Sequence, residues 1–351
     1  MPKDAIIDPE DAAISAGLVY VNDDIPGIRR VRAGKSFSYR DAQGQTITDR
    51  ATRKRLAALA VPPAYTDVWI CPDPQGHILA TGRDAKGRKQ YRYHPGFREI
   101  RDGTKYDRML DFAQVLPGLR ARVDADMARR GLPPEKVLAT IVFLLENTMI
   151  RVGNATYAKQ NKSHGLTTLR ARHVSLEGNR IRFRFKGKSG KDWDLGLRDR
   201  RVARIIRAVQ ELPGQHLFQY VDEDGTRHQV TSGDVNAYLR DITGRHVTAK
   251  DFRTWTGTVL AALALSEYEK ADSEAAAKRN VRDAIETVAA RLGNTPTICR
   301  KCYVHPQIID GYLAHDLKLD LQGEIAQTLT HDDLRPEEKQ VLTFLRRRLK
   351  P

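Results

Sequence analysis

The residues best suited to chemistry lie in Asn294-Thr-Pro-Thr-Ile-Cys-Arg-Lys-Cys-Tyr303-Val-His-Pro306. Tyr303 follows closely on Arg300 and Lys301. A free phenol titrates near ~10 and is a weak nucleophile at neutral pH. Cations held against it favour the phenolate and would also hold an anionic substrate beside it. Most tyrosines with basic neighbours only pack or hydrogen-bond, so this stretch needs support from the rest of the chain. It also contains Cys299-x-x-Cys302, with His305 nearby. A structural zinc site needs a fourth ligand, and no second pair lies at suitable spacing. The cysteines read as ordinary buried thiols, and neither a metal nor any other cofactor is expected.

Other candidates are spread along the chain. Arg151 ends an apolar helical stretch, where a guanidinium either caps carbonyls or reaches toward a planar oxyanion. Tyr157 is by default a packing residue. Lys188 sits in the turn Gly187-Lys-Ser-Gly-Lys191. In the strand before it, Ile181, Phe183 and Phe185 alternate with Arg182, Arg184 and Lys186, giving one apolar and one basic face. A phosphate-binding P-loop would need glycine at Arg182 and a helix after Ser189, so nucleotide binding there is excluded. Lys250 and Arg253 share a face if their segment is helical, and a solvated face is the ordinary reading of such a pair. In Gly82–His94, cations interleave with tyrosines. There Arg88 and Lys89 can neutralise phosphates, Gln90 can meet adenine N6 and N7, and Tyr91 and Tyr93 share one strand face. A solvated basic hairpin with inward tyrosines explains that stretch equally well.

These residues need elements to place them. A chain of 351 residues exceeds what one core usually holds, so two domains are expected. Residues 1–101 read as a small β-rich domain after a loosely docked start. Strands are expected at Thr66–Cys71 and His77–Thr81, and a short helix after an Asp49 cap. Residues 102–351 read as mainly α-helical, making the fold class α+β. A charged linker is expected over Phe97–Lys105, then helices at Asp107–Val115, Leu119–Arg130 and Glu135–Ile150. A three-stranded sheet is expected from Thr167–Leu176, Arg180–Lys186 and a strand through Trp193–Leu197. Apolar stripes at Val202–Val209 and Val281–Leu292 predict further helices, the second stopped by Gly293-Asn294.

Lys and Arg total 59 against 44 Asp and Glu, a formal charge of +15, which points to a polyanionic partner, nucleic acid before membrane. No apolar run is long enough to span a bilayer, no signal pattern opens the chain, and three cysteines suit a reducing compartment. An intracellular, cytoplasmic protein that does not bind membranes is expected.

Taken in order, Arg151, Lys188, Arg253, Asn294 and Tyr303 resemble the active-site set of the type IB DNA topoisomerases, in their compact poxvirus-like bacterial branch. The supporting context is IRVGN, GLTTLR, FKGKSGK, KDFRTW, LGNTP and CRKCYVHP, and the resemblance extends to GRKQY near the start. It implies that Tyr303 attacks a DNA phosphodiester and forms a 3′-phosphotyrosyl link. Arg151, Arg253 and Asn294 would hold the phosphate oxygens, and Lys188 would protonate the leaving 5′ oxygen. Lys250 and Tyr157 would contact the phosphate region, and Arg88, Lys89, Gln90, Tyr91 and Tyr93 the duplex. It further implies relaxation of supercoiled double-stranded DNA without ATP or a required metal, by a monomer clamping the duplex in the bacterial nucleoid. Many relatives carry histidine where this chain has Asn294. The related tyrosine recombinases, which exchange strands at specific sites, are the alternative. They usually carry His-x-x-Arg in the third motif, where this chain has Lys250-Asp-Phe-Arg253.

Overall fold

The computed structural model describes residues 9–34, 36–222, 224–268, 271–319 and 333–349. The chain divides into two compact units, Met1–Asp107 and Arg108–Pro351.

The first unit begins with α1 (Pro9–Ser15), which is docked rather than loose: Ala12, Ala13 and Leu18 are buried with Phe97. An antiparallel sheet follows, from β1 (Ile28–Ala33), β2 (Ser36–Arg40), β3 (Thr66–Ile70), β4 (Ile78–Arg83) and β5 (Lys89–Tyr93), in the order β2-β1-β3-β4-β5. Between β2 and β3 lies α2 (Arg50–Ala58), whose first turn is capped as expected by the Asp49 carboxylate, accepting from the Thr52 amide at 2.7 Å. Leu56 of α2 packs on Ile28, Val68, Ile70 and Ala80. The β5 strand therefore forms one edge of the sheet, and its Tyr93 packs inward, stacking on Phe97 at 5.5 Å.

The expected linker over Phe97–Lys105 and the two helices after it are instead one helix, α3 (Pro95–Met127), with Pro117 inside it. An interior proline costs about 3 kcal/mol of helix stability. Met109, Phe112, Ala113, Leu116, Leu119, Val123 and Met127 are all buried, and that apolar burial offsets the local cost.

The second unit is built around α4 (Pro134–Thr148), which is buried over most of its circumference. After it come α5 (Ala155–Asn161), β6 (Val174–Glu177), β7 (Arg180–Lys186), β8 (Asp192–Arg198), α6 (Arg200–Glu211), a small hairpin of β9 (Gln219–Val221) and β10 (Arg227–Gln229), α7 (Ser232–Thr243), α8 (Ala249–Ser266), α9 (Glu274–Leu292), α10 (Pro296–Cys302), α11 (Pro306–Leu313) and α12 (Pro336–Leu349). The fold class is α+β, with the helical unit carrying a three-stranded sheet β6-β7-β8.

In β7 the apolar residues are buried and the basic ones exposed. The basic face is partly neutralised, because Arg182 and Arg184 both bond Asp194 across the sheet. The expected strand Thr167–Leu176 is mostly absent. The chain makes two 3-10 turns, Leu166–Thr168 and Ala171–His173, before β6 begins at Val174. Threonine hydroxyls explain the difference by competing for the backbone: Thr168 Oγ1 donates to Gly165 O at 3.1 Å and Thr167 Oγ1 to Val152 O at 2.9 Å.

The helix α12 is fixed by a buried ion cluster. Arg120 donates to Glu146 and Glu338 at 2.6–2.9 Å, and the Trp255 indole donates to Glu338 at 3.2 Å. Among the described residues no helix is long and apolar enough to cross a membrane.

Candidate active site

The helices α4 and α9 end at the same place, and their ends create the site. The α4 helix closes on Met149 and α9 on Gly293, both in the left-handed region with φ 59° and 62°. The last carbonyls of a helix carry partial negative charge and lack intrahelical partners. Arg253, on α8, answers both ends by donating to Met149 O and, at 2.6 Å, to Leu292 O. It is only 4% exposed, so the solvated face expected for Lys250 and Arg253 holds for Lys250 alone. Burial, with the like charge of Arg151 beside it, lowers the Arg253 guanidinium to about 10, and it remains a cation at neutral pH.

Arg151 caps no carbonyl of its own helix. It donates to Gly293 O at 3.3 Å and to Asn294 Oδ1. Its backbone is held from the other side. Leu166 N bonds Arg151 O at 2.9 Å, and a Cβ on Gly165 would stand 2.5 Å from that same oxygen. Only glycine permits this approach. Burial lowers the Arg151 guanidinium, and the Tyr303 side chain opposes that shift.

Tyr303 is the residue after α10, a helix begun by Pro296 and capped by Thr295. Its amide bonds Cys299 O at 2.9 Å, and its carbonyl accepts from Thr258 Oγ1 at 3.3 Å. Thr258 Oγ1 also accepts from the His305 amide at 3.0 Å and shares its proton with Thr254 O at 2.9 Å, so this hydroxyl of α8 ties down the chain just after the tyrosine. Gly257 stands beside it, where a Cβ would lie 2.6 Å from Tyr303 O. The guanidinium carbon of Arg253 lies 5.1 Å from the centre of the Tyr303 ring, within cation–π range. Both guanidinium groups interact with the Tyr303 side chain.

Arg151, Arg253, Asn294 and Tyr303 thus form one group. Within it, Arg253 Nε and Asn294 Nδ2 are buried donors with no hydrogen-bond partner. Buried donors are nearly always paired, so an unpaired donor on each of these two residues is what a receptor for an oxyanion would need. The Arg151 bond sets the Asn294 amide with its oxygen toward the arginine and its NH2 free for that oxyanion.

Lys188 is exposed, in a 3-10 turn closed by Gly187 N to Lys191 O at 2.8 Å. Among the described residues no hydrogen bond or ion pair joins it to the four-residue group. Lys250 is exposed in the first turn of α8. The side chain of Tyr157, on α5, lies outside the described residues. At the edge of the first unit's sheet, Arg88 and Gln90 bond Asp84 at 2.7 and 3.0 Å, and Lys89 bonds Asp23 at 2.7 Å. The Arg88 bond draws the Asp84 carboxyl down to about 2. Tyr91 is exposed and stacks on Tyr93, ring centres 5.8 Å apart. Burial raises the Cys299 thiol to about 11, so it stays protonated. Among the described residues no three His, Cys, Asp or Glu side chains group to hold a metal.

Sequence reasoning missed the residues that place the group: Gly165, Gly257 and Thr258. Gly257 and Thr258 lie just beyond the KDFRTW stretch, but their role depends on Tyr303, 45 residues after Thr258 in sequence.

Comparison with known proteins identifies the family. Residues 94–327 match the model of the eukaryotic DNA topoisomerase I catalytic core, and residues 36–84 match the bacterial DNA topoisomerase IB N-terminal domain. The DNA topoisomerase 1B of Acanthamoeba polyphaga mimivirus is 32% identical over 293 residues, covering 82% of this chain and 87% of that protein. The DNA topoisomerase 1B of vaccinia virus (strain Copenhagen) is 22% identical over 79% of this chain and 87% of its own length. The DNA topoisomerase 1 of rabbit fibroma virus is 22% identical over 81% and 91%. Arg151, Arg253, Asn294 and Tyr303 all lie within the matched core, and the chain belongs to the type IB DNA topoisomerases, enzymes that act on DNA to change its topology.

Proposed function

We propose that this enzyme relaxes supercoiled duplex DNA by cutting one strand and resealing it through a 3′-phosphotyrosyl intermediate formed on Tyr303. The observation that carries this reading is the meeting of Tyr303 with two guanidinium groups, buried Arg253 and half-buried Arg151, in a group that also holds two buried donors without partners. The Tyr303 oxygen attacks phosphorus and gives its proton to water. The bond from phosphorus to the 5′ oxygen breaks, and Lys188 supplies the proton that lets the 5′-hydroxyl leave. As the phosphorane forms, charge grows on the nonbridging oxygens. Arg151, Arg253 and the Asn294 NH2 meet it with donors already in position.

Asparagine at 294 donates without adding charge. The two arginines therefore carry the electrostatic part, and the amide adds a directed hydrogen bond. The phosphotyrosyl ester conserves the energy of the broken linkage, so resealing is the reverse attack by the 5′-hydroxyl and ATP is not consumed. Between the two steps the free strand rotates. Lys250 and Tyr157 contact neighbouring phosphates. Arg88, Lys89, Gln90, Tyr91 and Tyr93 contact the duplex after exchanging Asp84 and Asp23 for phosphate or base. The enzyme works as a monomer, in the bacterial nucleoid.

The test is relaxation of supercoiled plasmid in EDTA without ATP. Wild-type protein is expected to relax it. Tyr303→Phe is expected to lose relaxation and the denaturation-resistant DNA adduct while keeping its affinity for duplex DNA. An adduct persisting in Tyr303→Phe would overturn the assignment of the nucleophile.

A further inference from the structure

Trp193 occupies a place that the chemistry above leaves unexplained. It lies on β8, opposite Phe185 of β7, and its indole stacks on that ring at 5.9 Å with only 4° between the planes. The indole then reaches in two directions. A Cβ on Gly187 would lie 2.5 Å from Trp193 Nε1, and a Cβ on Gly293 would lie 2.7 Å from Trp193 Cζ2. The five-membered edge therefore rests on one glycine and the six-membered edge on the other. Gly187 is the residue before Lys188, and Gly293 is the residue before Asn294. Gly293 is also the residue whose carbonyl accepts from Arg151.

These contacts solve a mechanical problem. The four-residue group is fixed by helix ends, whereas Lys188 projects from the tip of a hairpin. The last residue of β7, just before the tip, is tied to the Arg151 side, since His164 N bonds Lys186 O at 2.7 Å and His164 Nδ1 lies 2.7 Å from Thr168 O. The tip needs a second support to hold one distance from the phosphate. A flat, rigid ring between two bare backbones provides it, because any side chain at 187 or 293 would push the ring away.

We propose that Trp193 is a positioning residue, which sets where the Lys188 amine stands relative to Asn294 and Arg151 by spacing Gly187 from Gly293. The inference rests on the reading of Lys188 as the proton donor. It assigns to Trp193 no contact with DNA.

The readout is single-turnover cleavage of two oligonucleotide duplexes. One is ordinary DNA. In the other, sulfur replaces the bridging 5′ oxygen at the cleaved linkage, and a thiolate leaves without needing a proton because its conjugate acid is far stronger than an alcohol. Trp193→Ala is expected to cleave ordinary DNA about 100-fold more slowly than wild type, the low end of what a general acid contributes. It is expected to cleave the sulfur duplex at close to the wild-type rate. Lys188→Ala should show the same pattern. Trp193→Phe keeps the stack on Phe185 but lacks the ring edge that reaches Gly293, and should show a smaller, equally substrate-dependent defect.

A purely structural tryptophan would slow both substrates alike, because partial unfolding removes active enzyme regardless of leaving group. Equal slowing on both duplexes, or no slowing on ordinary DNA, in whichever Trp193 variant folds, overturns the inference. If Lys188→Ala cleaves the sulfur duplex normally and Trp193→Ala does not, the positioning role alone fails. If Lys188→Ala is not rescued by sulfur, the proton-donor reading fails and the Trp193 inference falls with it.

Discussion

Replacing Asn294 by aspartate tests the oxyanion receptor at a single atom. The change is isosteric and converts the unpartnered Nδ2 into a carboxylate oxygen while leaving the oxygen that Arg151 already holds. Losing one donor to a developing oxyanion slows reaction by about 10²–10³-fold, roughly 2.7–4 kcal/mol. A carboxylate ~4 Å from a phosphate adds about 4 kcal/mol of repulsion at an effective dielectric constant of ~20. The flanking guanidinium groups cancel part of that repulsion, so the expected loss of cleavage rate is ~10⁴-fold. Stability moves the other way. A hydrogen bond between charged partners is worth about 1 kcal/mol more than one to a neutral amide, which corresponds to ~2–4 °C in the melting temperature of a domain this size. Single-turnover formation of the covalent adduct measures the first effect and calorimetry the second. Asn294→Ala is the control for the donor alone, expected at ~10²–10³-fold slower without the gain in stability. Cleavage by Asn294→Asp at least as fast as by Asn294→Ala would refute the placement of Nδ2 against a phosphate oxygen.

Three further outcomes are expected. Gly257→Ala puts a methyl group 2.6 Å from Tyr303 O, so α8 and the tyrosine must part. Adduct formation should fall by about 10²-fold with duplex affinity unchanged in a binding titration. Glu338→Ala leaves the buried Arg120 without one of its two carboxylates and should cost about 3–5 kcal/mol in denaturant unfolding. Although burial raises it, the Glu338 carboxyl is held below its ordinary value by Arg120, so its stabilisation is present above pH ~4.5 and is lost as pH falls through the folded value. The acid limb of the stability curve should therefore be shallower in the variant. His173 behaves as a half-buried base: burial, then the neighbouring His164, lowers it to about 4, and its Nδ1 accepts from the Arg170 amide at 3.1 Å. In the unfolded chain it takes up a proton near pH ~6.5, so stability should decline as pH drops from there toward about 4, and His173→Asn should flatten that window in urea titrations.

Much of the architecture was legible because it follows from local period. The alternation through Ile181–Lys186 specifies a half-buried strand, and β7 has those bounds. The stripe Val281, Ile285, Val288, Leu292 specifies a helix, and Gly293 ends it at φ 62°. The errors also have local causes. Pro117 and the glycines around Phe97–Lys105 argue against a helix when read alone, but the buried face of α3 outweighs them. Thr167 and Thr168 look like strand residues, yet their hydroxyls bond the segment behind Arg151. Their β-propensity is spent on a turn because that segment is there to be bonded.

By itself the sequence determined which side chains were available and the family to which their order belongs. It specified a tyrosine, two arginines, a lysine on a turn and an amide, spread from Arg151 to Tyr303, in a chain of +15. Only the tertiary structure decided which of them meet. Arg253 looked like half of a solvated pair and is buried, because two helix ends 143 residues apart in sequence, at Met149 and Leu292, offer it their carbonyls. Whether a cation is solvated or enclosed depends on what surrounds it, and no window of sequence around Arg253 contains those carbonyls. The same holds for Trp193, whose role depends on two glycines that the chain separates and the fold brings to either edge of one ring.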